Sequence, residues 1–241
     1  MSQSEKSFSQ DSERRSQRTG GQSASRTAGT PVQVARAQRR GNGAMLGQLS
    51  INPTVMMIIQ VLLGAAVVGL LAQVSVPLWP VPVTGQTLGV LLVGAALGPR
   101  RGAGAMVAYM LLGIVGVPWF ADFTGGIAAV LKPSFGFIIG FIPSAYVSGK
   151  ALEGRGPHSL LKLFGWFTLA TVLPFVFGLP YMWGVLYSLG KTLSFGGIMS
   201  AGLVPFIPGG IIKAALATII LRVFIIARRD DSSATYSGDT K

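Results

Sequence analysis

The chain has 241 residues, half of them apolar, 33 of them Gly and only 12% charged. With a mean hydropathy of +0.56, this composition excludes an ordinary soluble domain and marks a polytopic membrane protein. The net charge of +12 also fails to indicate a nucleic-acid partner, since eight of the 20 Lys and Arg lie in the first 40 residues and most others flank apolar segments, as orientation signals and lipid-facing ends do.

Residues 1–45 are rich in Ser, Gln, Arg and Gly and carry too little apolar surface to offset the entropy of ordering, so a disordered basic tail is expected. The apolar run starts only near Ile51, which argues against a secretory signal. Glu5, Asp11 and Glu13 count against an organelle transit peptide and leave a flexible cytoplasmic tail resting on anionic lipid. The domain that follows, 46–229, holds six apolar segments at 55–74, 84–98, 102–117, 135–150, 161–179 and 203–227. The fold class expected is therefore all-α, with six transmembrane helices and a short polar C-terminal tail over 230–241. The second and third segments are short for a span, so they are either re-entrant or packed inside the bundle.

Positive charge orients the spans. With a cytoplasmic N-terminal tail and six crossings, 17 of the 20 Lys and Arg fall on the cytoplasmic side, against Lys132 and Lys191 opposite. Both termini are then cytoplasmic. Small residues mark close helix contacts at Gly85 and Gly89, Gly94 and Gly98, and Gly136 and Gly140. Gly64, Ala65 and Gly69 give the first span a small face that is a candidate docking surface for another subunit.

Between Leu203 and Ile226 the charged residues are Lys213 and Arg222. Arg222 lies near the end, where its stem reaches headgroups. Lys213 sits ~15 Å of helix rise from Leu203, inside a core about 30 Å thick. An ammonium at that depth costs ~2.5–3.5 kcal/mol, so Lys213 faces a cavity, a partner or a ligand, or else bonds to carbonyls freed by Pro205 and Pro208.

The chemistry of an enzyme is missing from this pattern. Seven of the eight acidic residues lie in the tails or a connector, leaving Asp122 on the outer loop between the third and fourth spans. There is no paired carboxylate and no His–carboxylate couple, and lone His158 sits beside Pro157 in a connector. The stretch from Gly184 to Thr192 resembles a phosphate-binding loop, but five residues rather than four separate its glycines and it falls on the non-cytoplasmic side. No catalytic residue, cofactor or metal site is expected. What remains is a binding site reached from outside. Lys213, Gln86, Thr84 and Thr87 supply polar groups, and Tyr109, Trp119 and Phe120 supply flat apolar surfaces. That set suits a small, mostly apolar anion with a hydrogen-bonding head.

Several ordered motifs carry a family resemblance: Val81-Pro82-Val83-Thr84-Gly85-Gln86-Thr87-Leu88, Leu97-Gly98-Pro99-Arg100-Arg101-Gly102 and the stretch from Tyr109 to Phe120. Thr124-Gly125-Gly126, the stretch from Lys132 to Phe141, and Pro205-Phe206-Ile207-Pro208-Gly209-Gly210-Ile211-Ile212-Lys213 continue the order. Together they resemble the BioY family, the biotin-specific substrate-binding (S) components of energy-coupling-factor (ECF) transporters, over roughly Ile51 to Ala227.

The resemblance implies a six-helix protein of the prokaryotic cell membrane that captures biotin from outside and is not itself an enzyme. Uptake would be driven by a transmembrane coupling protein and two cytoplasmic ATPases, with Ala65 and Gly69 resembling the docking face. Lys213, Gln86, Thr84 and Tyr109 would contact the ligand, the Gly210 backbone would let it approach closely, and the loop bearing Trp119 and Asp122 would cover it. One position departs from the family's pattern: the final motif usually reads Pro-Gly-Asp-x-x-Lys, and Gly210 stands in the acidic place. Lys213 then lacks a countercharge one turn away. Three consequences are open: the ligand's carboxylate or polar head takes up the Lys, Lys213 is uncharged while the site is empty, or ligand preference is altered. The rival readings are an S component for another small carboxylate-bearing vitamin and a non-transport membrane scaffold subunit.

Overall fold

The computed structural model describes residues 52–153 and 159–237. The expected disordered tail, 1–45, and His158 lie outside the described residues. Seven α-helices are present among the described residues: α1 (Pro53–Ala72), α2 (Gln86–Leu97), α3 (Pro99–Val115), α4 (Phe135–Lys150), α5 (Leu160–Ser188), α6 (Phe195–Gly202) and α7 (Phe206–Ser237). Between α1 and α2 two short strands, β1 (Ser75–Val76) and β2 (Val83–Thr84), pair antiparallel with Ser75 opposite Thr84. Two 3₁₀ turns, Ala121–Phe123 and Ile127–Leu131, fill the connection from α3 to α4. The chain is mostly helical, as expected, apart from this strand pair.

Local chemistry sets the helix starts. The Asn52 side chain accepts from the Thr54 N–H at 2.9 Å ahead of Pro53, and Ser159 and Ser194 accept from Lys162 and Gly197 at the heads of α5 and α6. Pro99 opens α3, where its missing N–H costs nothing.

Three helix boundaries differ from the sequence expectation. α5 runs to Ser188 rather than ending near 179, passing through Pro174 and Pro180. The first of these prolines leaves the Ala170 carbonyl without its helical donor, and the Ser144 hydroxyl of α4 donates to it at 2.7 Å. α6, of eight residues, was not expected at all, because it is too short to show a period. α7 continues to Ser237, so the helix runs into the polar segment expected over 230–241. No Gly or Pro interrupts the stretch from Ile211 to Ser237, and the next residue is Gly238.

α1, α5 and the Phe206–Ile225 part of α7 are long and apolar enough to cross a membrane. The 12 residues of α2 rise only about 18 Å, and the helix is packed inside the bundle against α1, α3, α4 and α7. α4 is the other central helix, touching α2, α3 and α5. It comes close because glycines face it: a Cβ on Gly94 of α2 would strike the Ala145 carbonyl and the Ser148 side chain, and the Gly140 Cβ position is filled by Pro174. Ser148 donates to the Leu91 carbonyl at 2.6 Å across the same contact.

The small face of α1 is spent in the same way. Ala65 is fully buried in the core formed with α2, α3 and α4, and Gly69 is buried beneath the Trp119 ring. The expected docking face is thus not an exposed surface in this structure: both residues pack within the chain.

The Gly94 contact yields a test. Gly94→Val is expected to destabilise the bundle by about 3 kcal/mol, read as a lower melting temperature in detergent. Gly184→Ala, on an exposed stretch of α5 with open space at its Cβ, is expected to leave it unchanged.

Candidate functional site

The junction of β2 and α2 is where three parts of the chain converge. Thr84 ends the strand, and Gln86 begins the helix two residues later. Both are buried, so their polar atoms must find partners inside. The Thr84 hydroxyl donates to Gln86 Oε1 at 2.7 Å and accepts from the Gln86 backbone N–H at 3.3 Å. Gln86 Nε2 donates to the Tyr109 hydroxyl at 2.7 Å, and that hydroxyl donates to the Trp119 carbonyl at 3.2 Å. The amide is thereby held in one orientation, with one hydrogen of Nε2 and part of the oxygen's acceptor capacity left over.

Lys213 approaches the same junction from α7. Its ammonium donates to the Thr84 backbone carbonyl, 129 residues away in sequence, rather than to the carbonyls released by Pro205 and Pro208. Among the described residues no carboxylate stands within ion-pair distance of it, the ion pair present being the exposed Lys150–Glu153 contact at 3.0 Å. Two of its three N–H groups remain for another acceptor.

These groups line a cavity of about 250 Å³. Thr84, Gln86, Thr87, Gly210, Lys213 and Thr171 form its polar part. Six phenylalanines stand in the remaining wall, among prolines and aliphatic side chains: Phe137 and Phe141 of α4, Phe175 of α5, Phe206 of α7, and Phe120 and Phe135. Phe137 stacks on Phe206 with centroids 6.1 Å apart and meets Phe175 edge-on at 5.7 Å, which fixes the rings against one another. Trp79, Asp122 and Lys132 also line it, and all three are exposed. Lys191 lies 4.5 Å from the Trp79 ring centroid and braces that side.

Seven of the residues singled out from sequence thus meet around one space: Lys213, Gln86, Thr84, Thr87, Phe120, Gly210 and Asp122. Two do not line it, and this is a correction. Tyr109 is fully buried beneath the wall, with its hydroxyl occupied by Gln86 and the Trp119 carbonyl. The Trp119 ring turns toward α1, covers Gly69, and donates from Nε1 to the Tyr109 carbonyl at 2.9 Å. Both orient other groups instead of presenting a surface to a ligand. The wall aromatics missed were those of α4, α5 and α7. Phe137 and Phe141 stand one helical turn apart, a spacing that signals a shared face, but in a segment apolar all round it does not tell cavity from lipid. Gly210 leaves room at the polar end, where a Cβ would meet only the Thr171 methyl, at 3.1 Å.

An ammonium with free donors, an oriented amide and aromatic walls are the parts of a recognition site for a small anionic or strongly accepting molecule with an apolar body. Comparison with known proteins gives the same direction. The profile of the BioY family matches residues 43–229. The biotin transporter BioY of Rhizobium etli is 35% identical over 165 residues, 66% of this chain and 85% of its own. The probable biotin transporter BioY of Pyrococcus horikoshii is 37% identical over 158 residues, 62% of this chain and 83% of its own. Among solved structures, the S-component for biotin from an ECF-type ABC transporter aligns with a TM-score of 0.53 at 25% identity, covering 73% of this chain and 94% of that one. The profile match takes in every element that lines the cavity, from β2 to Lys213 on α7, and by it the chain belongs to the BioY family.

Proposed function

We propose that the chain is the membrane binding subunit for biotin uptake, a multi-pass protein of the prokaryotic cell membrane with six crossings and both termini cytoplasmic. The observation that carries this reading is the Lys213 ammonium at the polar end of an aromatic-walled cavity, without a carboxylate partner among the described residues and beside an amide held in one orientation. Biotin combines a carboxylate, an apolar chain and a ureido group that both donates and accepts. An unpaired ammonium suits an anionic or strongly accepting group, the oriented Gln86 amide suits a donor–acceptor head, and the phenyl walls suit the chain. A carboxylate-bearing vitamin of similar size is the competing occupant.

Energy for release into the cell is supplied, in this reading, by a transmembrane coupling protein and two ATPase subunits of an ECF module. Two observations support the assignment: the near-match to a phosphate-binding loop in this chain has the wrong spacing, and a similar solved structure is named as a component of an ECF-type transporter. Lipid is the remaining partner. The exposed Leu63, Leu70, Val172, Val176, Ile219 and Val223 on the three long helices are suited to acyl chains.

Equilibrium binding of labelled biotin to the purified, detergent-solubilised chain tests the reading, with unlabelled vitamins as competitors. Saturable binding that only biotin displaces is expected; displacement by another carboxylate vitamin instead overturns the choice of ligand. Lys213→Met is expected to weaken binding about a hundredfold or more while the melting temperature of the empty protein holds or rises, because the variant removes a half-buried charge that has no carboxylate partner among the described residues. Tyr109→Phe is expected to weaken binding by roughly tenfold at unchanged cavity shape, since the Gln86 amide loses the acceptor that orients it. Equal affinity in Tyr109→Phe and wild type would show that Gln86 is held by its other contacts.

A further inference from the structure

One wall of the cavity is a short stretch of loop, Phe120, Ala121, Asp122 and Thr124, and its conformation needs an external hold. Asp122 and Phe123 both adopt left-handed backbone, at φ 59° and 54°, which residues with a Cβ rarely do, least of all two in succession. Nothing apolar pins the tip from outside, since Phe123 is exposed. Phe120 anchors the inner side, its ring 5.3 Å from that of Tyr109 and edge-on to Phe135.

The hold on the outer side comes from one residue. Gln73, the C-cap of α1, reaches across with its side chain: one hydrogen of Nε2 is shared between the Trp119 carbonyl at 3.3 Å and the Phe120 carbonyl at 3.2 Å, and Oε1 accepts from the Phe123 N–H at 3.0 Å. Nε2 also donates at 3.0 Å to the Gly69 carbonyl of α1. That carbonyl lacks its usual donor because the Gln73 backbone N–H turns to Leu70 instead. One amide therefore closes the end of α1 and clasps the backbone of the loop at three positions, Trp119, Phe120 and Phe123. The Trp119 carbonyl is shared with the Tyr109 hydroxyl, so the same oxygen receives both the clasp from α1 and the chain of bonds that orients Gln86.

We propose that Gln73 is the positioning residue that latches this loop over the cavity, and that breaking the latch shortens the stay of the bound molecule. Gln73 touches no ligand. It acts through the backbone of 119–123, and it makes α1 the element to which the cover is fastened. The part of the proposal that concerns release rests on biotin being the ligand; the part that concerns the cover does not.

The test uses the full chain in detergent with Gln73→Leu, of similar size and without hydrogen bonds, and Gln73→Glu, which keeps an acceptor for the Phe123 N–H and loses the donors. Two quantities are read: amide hydrogen exchange over 119–124 against α2 as reference, and the dissociation rate of labelled biotin. In Gln73→Leu the cover is expected to exchange roughly tenfold faster with α2 unchanged, and biotin to leave roughly tenfold faster at little-changed association rate. Gln73→Glu is expected between the two. Unchanged exchange in the cover overturns the latch. Faster exchange throughout the chain, or a loosened cover with unchanged release, reduces Gln73 to a structural part and overturns its role in retention. Absence of biotin binding by the wild type overturns the biotin reading alone, and the exchange measurement still decides the latch.

Discussion

A half-buried cation in an apolar helix sets the terms for this structure. Lys213 sits in an apolar helix, where an ammonium is costly unless it finds partners, and among the described residues it bonds to the Thr84 carbonyl. That bond ties α7 to the junction of β2 and α2, which is also where Gln86 enters the bundle. Neither group alone would define a site. The cation brings α7 to a place where an amide is already oriented, and the aromatic side chains of α4, α5 and α7 surround the space they leave.

The bundle accommodates that space because its other contacts are unusually close. Glycines on α2 and α4 remove side chains where helices cross, and serine hydroxyls on α4 satisfy carbonyls on both neighbours. The proline in α5 contributes to both features. It frees the Ala170 carbonyl for Ser144, and it lies where Gly140 has no side chain to obstruct it. A membrane core tolerates a proline only when the freed group finds such a donor. Central helices as short as α2 are viable for a related reason: they meet protein on most sides rather than lipid.

How much of this could be read from the residues follows from what each signal encodes. Lys213 was legible because a charge in an apolar run has few innocent explanations, and Thr84 and Gln86 because polar groups in a Pro- and Gly-rich entry to a span need partners. Tyr109 and Trp119 were expected to face the ligand, and neither lines the cavity. Their neighbourhood was right, but linear sequence does not say which face of a loop a ring takes, and here both turn beneath or away from the cavity. Ala65 and Gly69 differ from expectation for a similar reason: small residues announce close approach without naming the partner, and the partner here is this chain's own α2, α3 and Trp119. Gln73 was not singled out at all. A glutamine at a helix end is unremarkable until the loop it clasps, some fifty residues later, is in place.

The unpaired ammonium also bears on why binding should be selective. With glycine at position 210, the cavity offers Lys213 a carbonyl and open space but no countercharge within ion-pair distance among the described residues. An incoming anion then supplies what the fold leaves out. It gains a charge-assisted bond in surroundings of low dielectric, and it relieves part of the cost of burying the cation. A neutral molecule of the same shape fills the aromatic walls equally well and relieves nothing. Discrimination in such a site therefore comes less from tight walls than from a deficit of charge that only the right class of ligand removes. In the reading proposed here, the ligand completes the electrostatics of the bundle, and its departure restores the cost.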